Sequence, residues 1–446
     1  MLRLAVPVVM AELGWMTMGI VDTLMVGRLS PEAIGAVGIG TSVFMAVVIL
    51  AMGVLLGLDT LVSQAYGAGR VHDCHRWLLH GSTLAILMSF PLTLLLWKVT
   101  DSLDAWGLDP GVRALAHPYL DALSWSVLPL LLYAAFRRYL QGMGVVRPVM
   151  AALIVANIVN LFLNWVLIYG KLGAPAMGVR GSAWATVVAR VAMSGFLFAV
   201  ILHRERGSRP GLFDTTLRIE PAWLKRLLQL GLPAAMQITL EVGVFAAATT
   251  LAGRLAPASL AAHQIALNCA AFSFMVPFGV SSAGAVRVGQ AVGRLDAPGA
   301  ARAGWMALLF GVGFMAIAAL SFVTVPRLLI GAFTKDAGVL AVGASLLRVA
   351  AVFQLFDGLQ VVATGVLRGL GDTRTAMLWN LAGHWFIGLP LGYTLCFVTG
   401  LGVIGLWWGL SSGLIICGVS LLYVWSRHIH ALLHASPVPV SGGTNA

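Results

Sequence analysis

The chain has 446 residues, of which 59% are hydrophobic and only 10% charged, with a mean hydropathy of +0.91. A soluble protein has about a quarter of its residues charged, so a soluble globular fold is excluded and a polytopic membrane protein is indicated. The net charge of +11 does not point to nucleic acid, because the basic residues stand singly between apolar stretches, as topogenic charges do.

Apolar stretches fall at about 5–27, 38–63, 77–98, 115–136, 148–169, 180–202, 228–253, 262–284, 303–325, 339–366, 376–398 and 402–425. Each is long enough to cross a hydrocarbon core of about 30 Å. Their lengths suit helices rather than barrel strands, so the expected fold is an all-α polytopic membrane protein with twelve transmembrane helices. The first span runs from Leu4 to about Val26, longer than the apolar part of a signal peptide, and no cleavable leader is expected. Cys74, Cys269, Cys396 and Cys417 are scattered and suggest neither a disulfide framework nor a metal site. Residues 203–226 form the one long polar linker, and the Ser/Pro/Gly-rich tail at 428–446 is expected to be disordered.

Orientation follows from Lys and Arg. The termini and even-numbered loops carry 18 of them and the odd loops 8, which places both termini, the linker and the tail in the cytoplasm. The expected location is the plasma membrane, a bacterial inner membrane.

A shift of 226 pairs Pro7, Gly27, Arg28, Leu29 and Pro31 with Pro233, Gly253, Arg254, Leu255 and Pro257, and Gln64, Ala65 and Gly67 with Gln290, Ala291 and Gly293. A shift of 227 aligns Gly142, Gly144 and Arg147 with Gly369, Gly371 and Arg374, and a shift of 224 aligns GVRGSAW at 178–184 with GVIGLWW at 402–408. Each half has an even number of spans, so both enter the membrane in the same direction. Two six-helix lobes, 1–202 and 227–427, are therefore expected, related by a pseudo-two-fold axis along the membrane normal.

Polar groups inside the spans are few. Glu241 lies roughly 20 Å from the basic residues flanking span 7, near the bilayer centre. Insertion of an acid there costs a few kcal/mol. Asp357 on span 10 lies roughly 16 Å along the helix from Arg368, between Gln354 and Gln360. Asp22 is on span 1, six residues before Arg28, and Asn157, Asn160 and Asn164 share one face of span 5. These amides serve either a transport site or interhelical hydrogen bonding. Glu12 is read as a structural or snorkelling acid, and Asp59 as an acid at the cytoplasmic end of span 2. Gln264 and the adjacent His263 begin span 8. Gly369–Asp372 reads as a helix-end packing motif, not a phosphate loop, and no catalytic constellation marks an enzyme.

LAVP and VDTLMVGRL within 4–29, SQAYGAGR at 63–70, LEVGVF and LAAHQIALN within 240–268, the PFGVSSA run at 277–283 and QLFDGLQVVATGVLRGLGDT at 354–373 resemble the multidrug and toxic compound extrusion (MATE) family, in its NorM-like branch. The resemblance covers nearly the whole chain. It implies two six-helix bundles that export organic cations in exchange for Na+ or H+. Glu241 and Asp357 match the acidic positions of the family's second-lobe cation site, and Asp22, Asn160 and Asn164 its first-lobe polar cluster, which Thr186 joins. The segment before span 1 is shorter than many relatives carry.

An antiporter needs a midplane site that cation and substrate occupy at different times, and buried carboxylates supply one. Desolvation lets a carboxyl hold a proton, whereas a nearby cation favours the ionised form. Na+ at Glu241 and Asp357 would draw on several oxygen ligands; a proton needs only the acid. Met236, Gln264, Phe272, Met275, Phe353, Gln354, Asn157 and Thr186 are candidates to line the substrate cleft, and Pro7 and Pro233 are candidate hinges or first-turn prolines. Small organic cations or drugs and the bilayer are the expected partners of a monomer that uses no cofactor. The rival expectation is a lipid-linked oligosaccharide exporter, for which Arg190 and Arg348 would be the cleft cations.

Overall fold

The computed structural model describes residues 1–206 and 218–434, which contain helices and turns but no strand. The first lobe comprises α1 (Leu2–Val26), α2 (Pro31–Val54), α3 (Gly57–Gly67), α4 (Val71–Ser102), α5 (Pro110–Ser124), α6 (Val127–Gly142), α7 (Arg147–Tyr169) and α8 (Gly178–Glu205). The second comprises α9 (Pro221–Ala252), α10 (Pro257–Gly293), α11 (Ala297–Thr324), the short α12 (Pro326–Gly331), α13 (Ala337–Leu370), α14 (Arg374–Asn380), α15 (Leu389–Tyr393) and α16 (Gly402–His434). Among the described residues, eleven helices or helix runs are long and apolar enough to span a membrane. The twelfth crossing is the α5–α6 pair, bent by 48°. Prolines start many of these helices, where the missing N–H costs nothing: Pro31, Pro110, Pro221 and Pro257 occupy first-turn positions.

Several expected boundaries move. The α8 helix runs on to Glu205 and α9 begins at Pro221, so both ends of the expected linker, 203–205 and 221–226, are helical, and residues 207–217 lie outside the described residues. The linker's end is pinned to the first lobe. The Glu220 N–H donates to His80 Nε2 at 2.9 Å, Arg76 pairs with the Glu220 carboxylate, and Trp223 packs 4.3 Å from Trp77 between ring centroids. The last helix continues to His434, into the segment expected to be disordered, and 435–446 lie outside the described residues. Pro233 is also deep inside α9 rather than in its first turn.

The first helix of each lobe leans into the other. Leu4, Ala5 and Val8 of α1 share an apolar cluster with Val280, Ala283 and Val366, whereas Leu227, Leu230 and Ala235 of α9 belong to the first lobe's core. Burying apolar side chains on both partners holds these crossings, and glycines allow the close approach. A Cβ on Gly53 would lie 2.5 Å from Ala235 Cα, and one on Gly279 would lie 2.8 Å from Val9 Cα. The shift of 226 converts the first contact into the second, so the sequence repeat reappears as a two-fold relation in space.

The same relation holds for two side chains. Gln64 Nε2 donates to the Gly369 carbonyl at 3.0 Å, and Gln290 Nε2 donates to the Gly142 carbonyl at 2.9 Å. These contacts all lie at the end of the molecule that carries the start of α1 and the ends of α3, α6, α10 and α13. At that end the lobes are closed. Further along α1 nothing lies within 4 Å of a Cβ placed on Gly19, and Ile20 is 47% exposed. Gln264, Asn268, Phe272, Met275 and Gly279 follow one another along one stripe of α10. Gly279 meets α1 at the closed end, and Gln264, Asn268 and Phe272 further along the stripe are exposed.

Candidate functional site

The first-lobe site forms where α1, α7 and α8 meet. Asn160 and Asn164, one turn apart on α7, point the same way, and both donate to Asp22 Oδ1, at 3.0 and 2.6 Å. Thr186 Oγ1 donates to Asp22 Oδ2 at 2.9 Å, and Asn164 Nδ2 also reaches Asn160 Oδ1 at 3.1 Å. All four residues are buried. Asn157, one turn earlier on α7, donates instead to the carbonyls of Gly14 and Leu153, both at 2.9 Å, and ties α7 to α1. Asn157, a candidate cleft residue, is half-buried there.

In the second lobe Gln237, four residues before Glu241 on α9, donates to Glu241 Oε2 at 3.1 Å. Gln360 of α13 reaches the same oxygen at 3.4 Å and Asn380 Oδ1 at 3.0 Å. Asp357, one turn before Gln360, is buried and lies within electrostatic range of Glu241. The helix carrying Asn380 passes into a π-helical stretch over Leu381–Gly388, whose wider turn changes the register of the side chains that follow. Gln237 and Asn380 were not singled out from the sequence. The i, i+4 spacing of Gln237 to Glu241 was a readable signal, but the reach of Asn380 depends on how α14 packs.

What separates these acids from the others is the company they keep. Glu12 pairs with Arg137. Asp59 lies 3.2 Å from Arg138 and 3.7 Å from Arg368, and Glu205 lies 2.9 Å from His75 Nε2. Among the described residues, Asp22, Glu241 and Asp357 have no such ion pair. Arg190, whose field reaches Asp22, donates instead to Ser126 Oγ at 2.6 Å and lies over the Phe44 ring at 4.6 Å. The described residues hold no cluster of three or more His, Cys, Asp or Glu suited to a metal ion. Beside each acid site, however, a buried amide oxygen lacks a hydrogen-bond partner: Asn164 Oδ1 in the first lobe and Gln360 Oε1 in the second. Such oxygens fit a hard monovalent cation or a protonated carboxyl.

A family model described as MatE matches residues 7–166 and 233–394, one block in each lobe. The chain belongs to the MatE family. It is 40% identical over 435 residues to "Probable multidrug resistance protein NorM" of Mesorhizobium japonicum, covering 96% of this chain and 93% of that protein. With "Multidrug resistance protein NorM" of Burkholderia vietnamiensis the identity is 35% over 433 residues, covering 96% and 93%. Among solved structures, an outward-facing multidrug resistance MATE family transporter of the MOP superfamily superposes with a TM-score of 0.88 at 21% identity, covering 97% of this chain and 95% of the other. The two-lobe MATE architecture is therefore the fold of this multi-pass membrane protein.

Within that MATE fold the expected cleft residues separate. Gln264 and Phe272 are exposed and Met275 is half-buried, all on one stripe of α10; Met236 of α9 is 39% exposed. Phe353 and Gln354 are enclosed within the second lobe, a correction to their expected place. Phe353 packs against Phe245 and Trp407 at 6.0 and 5.7 Å between centroids, and Gln354 Nε2 donates to Ser273 Oγ. Their partners lie on α9, α10 and α16, all in the second lobe. Asp59 is also more than a helix-end acid, since it bridges one arginine from each lobe at the closed end.

Proposed function

We propose that this MATE-family chain is a secondary active antiporter that exports organic cations or drugs in exchange for Na+ or H+ by alternating access of its two lobes. The observation that carries the reading is a set of acids inside the lobes without a resident cation, Asp22 and Asp357 buried and Glu241 half-buried. An ionised carboxylate in the membrane interior is costly to hold unless a positive charge or a proton joins it. Asp22, Glu241 and Asp357 are held in place by amides and a hydroxyl or left unpaired, so the partner is one that comes and goes. The orphaned oxygens of Asn164 and Gln360 add ligands for Na+ or an acceptor for a carboxyl proton. The lobes are bonded to each other at one end, through Gln64 and Gln290, as the closed gate of an alternating cycle requires.

The multidrug resistance names of the relatives support drugs as substrates. The closed end carries Arg3, Arg70, Arg147, Arg287, Arg294 and Arg374, and this charge supports its facing the cytoplasm. The lipid-linked oligosaccharide alternative looked to Arg190 and Arg348 for basic cleft groups. Arg190 is sealed inside the first lobe, and Arg348 is exposed on α13.

The test uses everted vesicles loaded with a fluorescent organic cation, with Na+ and proton gradients imposed separately. Glu241→Gln and Asp357→Asn keep volume and remove charge, and at matched expression each is expected to abolish gradient-coupled transport. Normal coupled transport in both variants would overturn the second-lobe site.

A further inference from the structure

At the closed end, a cleft of about 510 Å³ opens between the lobes, lined by Arg3, Leu4, Val145, Val146, Arg147 and Arg287 among others. The arginines come from the start of α1, the start of α7 and the last third of α10. None of them has a carboxylate within 4.0 Å among the described residues. The repeat supplies an internal control. At the equivalent positions of the other lobe the chain carries Gln229 for Arg3, Leu61 for Arg287 and Asp372 for Val145, beside Arg374. A general topogenic excess of positive charge would mark both places; the concentration is on one side alone.

We propose that this cleft binds a phosphate group, that of an anionic phospholipid headgroup. Guanidinium groups suit phosphate oxygens because their planar donors engage two oxygens at once. A basic pocket between transmembrane helices at the headgroup level is a fitting receptor for such lipids, and Leu4, Val145 and Val146 give the glycerol and upper acyl chain an apolar wall. Arg287 Nη1 also donates to Gln290 Oε1 at 3.4 Å, and Gln290 is the side chain that bonds Gly142 across the lobe boundary. A phosphate bridging Arg147 and Arg287 ties α7 to α10 beside that bond and adds to what holds this end shut.

The experiment reads binding on the resting, full-length protein, so it stands or falls separately from antiport. Delipidated protein in detergent is titrated with phosphatidylglycerol or phosphatidylcholine and the bound lipid is counted by native mass spectrometry. Wild type is expected to retain one phosphatidylglycerol in preference to phosphatidylcholine. The double variant Arg147→Gln/Arg287→Gln is expected to lose about tenfold or more in that affinity, the scale of one charge-assisted contact or more. Lysine at both positions keeps most of it, which separates charge from folding, and Arg374→Gln in the opposite lobe leaves it unchanged. Millimolar inorganic phosphate should displace the lipid. Phosphate binding that ignores phosphatidylglycerol would assign the site to free phosphate and overturn the headgroup. Equal retention by wild type and double variant, or no preference between the two lipids, would overturn the site.

Discussion

Two classes of acid inside the helix bundle coexist in this chain, and they should respond oppositely to neutralisation. Asp59 lies between Arg138 and Arg368, and Asp59→Asn leaves two buried guanidinium groups without their counter-charge. Breaking a buried pair in that way costs roughly 3–5 kcal/mol, so a clear fall in unfolding temperature in detergent is expected. For Asp22→Asn, Glu241→Gln and Asp357→Asn no ion pair is lost and a charge is removed from a low-dielectric site. Their unfolding temperatures should equal or exceed that of wild type while coupled transport disappears; a fall as large as that of Asp59→Asn would show them to be structural. Asp22 carries a further expectation. If cation and substrate share it in turn, raising Na+ or lowering the pH should weaken binding of an organic cation, because each supplies the acid with a competing positive partner. Binding assays over separate pH and Na+ series check this, and Asp22→Asn should flatten the dependence on whichever ion couples.

At the scale of elements, α1 and α9 carry the exchange between lobes, and their crossings with α2 and α10 set how closely the closed end fits. Alanine at Gly53 or Gly279 would press its methyl group on the backbone of the opposing helix, which cannot move aside as a side chain can. Overpacking of this kind costs about 1–3 kcal/mol. Here the cost falls on the closed arrangement. Spin labels at exposed Arg70 and Arg294, one on each lobe at this end, should report longer distances in Gly53→Ala and Gly279→Ala; unchanged distances would mean the crossing tolerates the methyl. Pro233 lies four residues after Gln229 and two before Ala235, where α9 passes from the first lobe's core to its own. The backbone bond a proline omits makes this the natural place to bend. Pro233→Ala is expected to slow turnover with substrate affinity unchanged, and unaltered turnover in a transport time course would remove the hinge.

For the whole molecule, the two-fold relation makes a symmetric prediction. Gln64→Ala and Gln290→Ala delete equivalent bonds across the lobe boundary, so each should shift the spin-label distances by a similar amount, and the double variant by more. A large effect from one and none from the other would show that closure is governed by the asymmetric Asp59 bridge instead. The orientation proposed from the charges is checked with reporter fusions at both termini, each expected to be active in the cytoplasm only.

The chain by itself determined the elements and their doubling, because span length is a count against bilayer thickness and the repeat is a matter of residue identity. It also placed Asn160 and Asn164 on one face, since helical period is local, although Thr186 entered through the family resemblance alone. Pairing is different. That Glu12 would meet Arg137, and Asp59 both Arg138 and Arg368, depends on helices far apart in the chain lying side by side, and an apolar span fixes no neighbour. The enclosure of Phe353 and Gln354 and the turn of Asn157 towards Gly14 have the same origin: in a bilayer both sides of a helix are apolar, so hydrophobicity does not say which side meets protein. The resemblance had already singled out Asp22, Glu241 and Asp357; only the packed structure showed that, unlike Glu12 and Asp59, they are left without a cation.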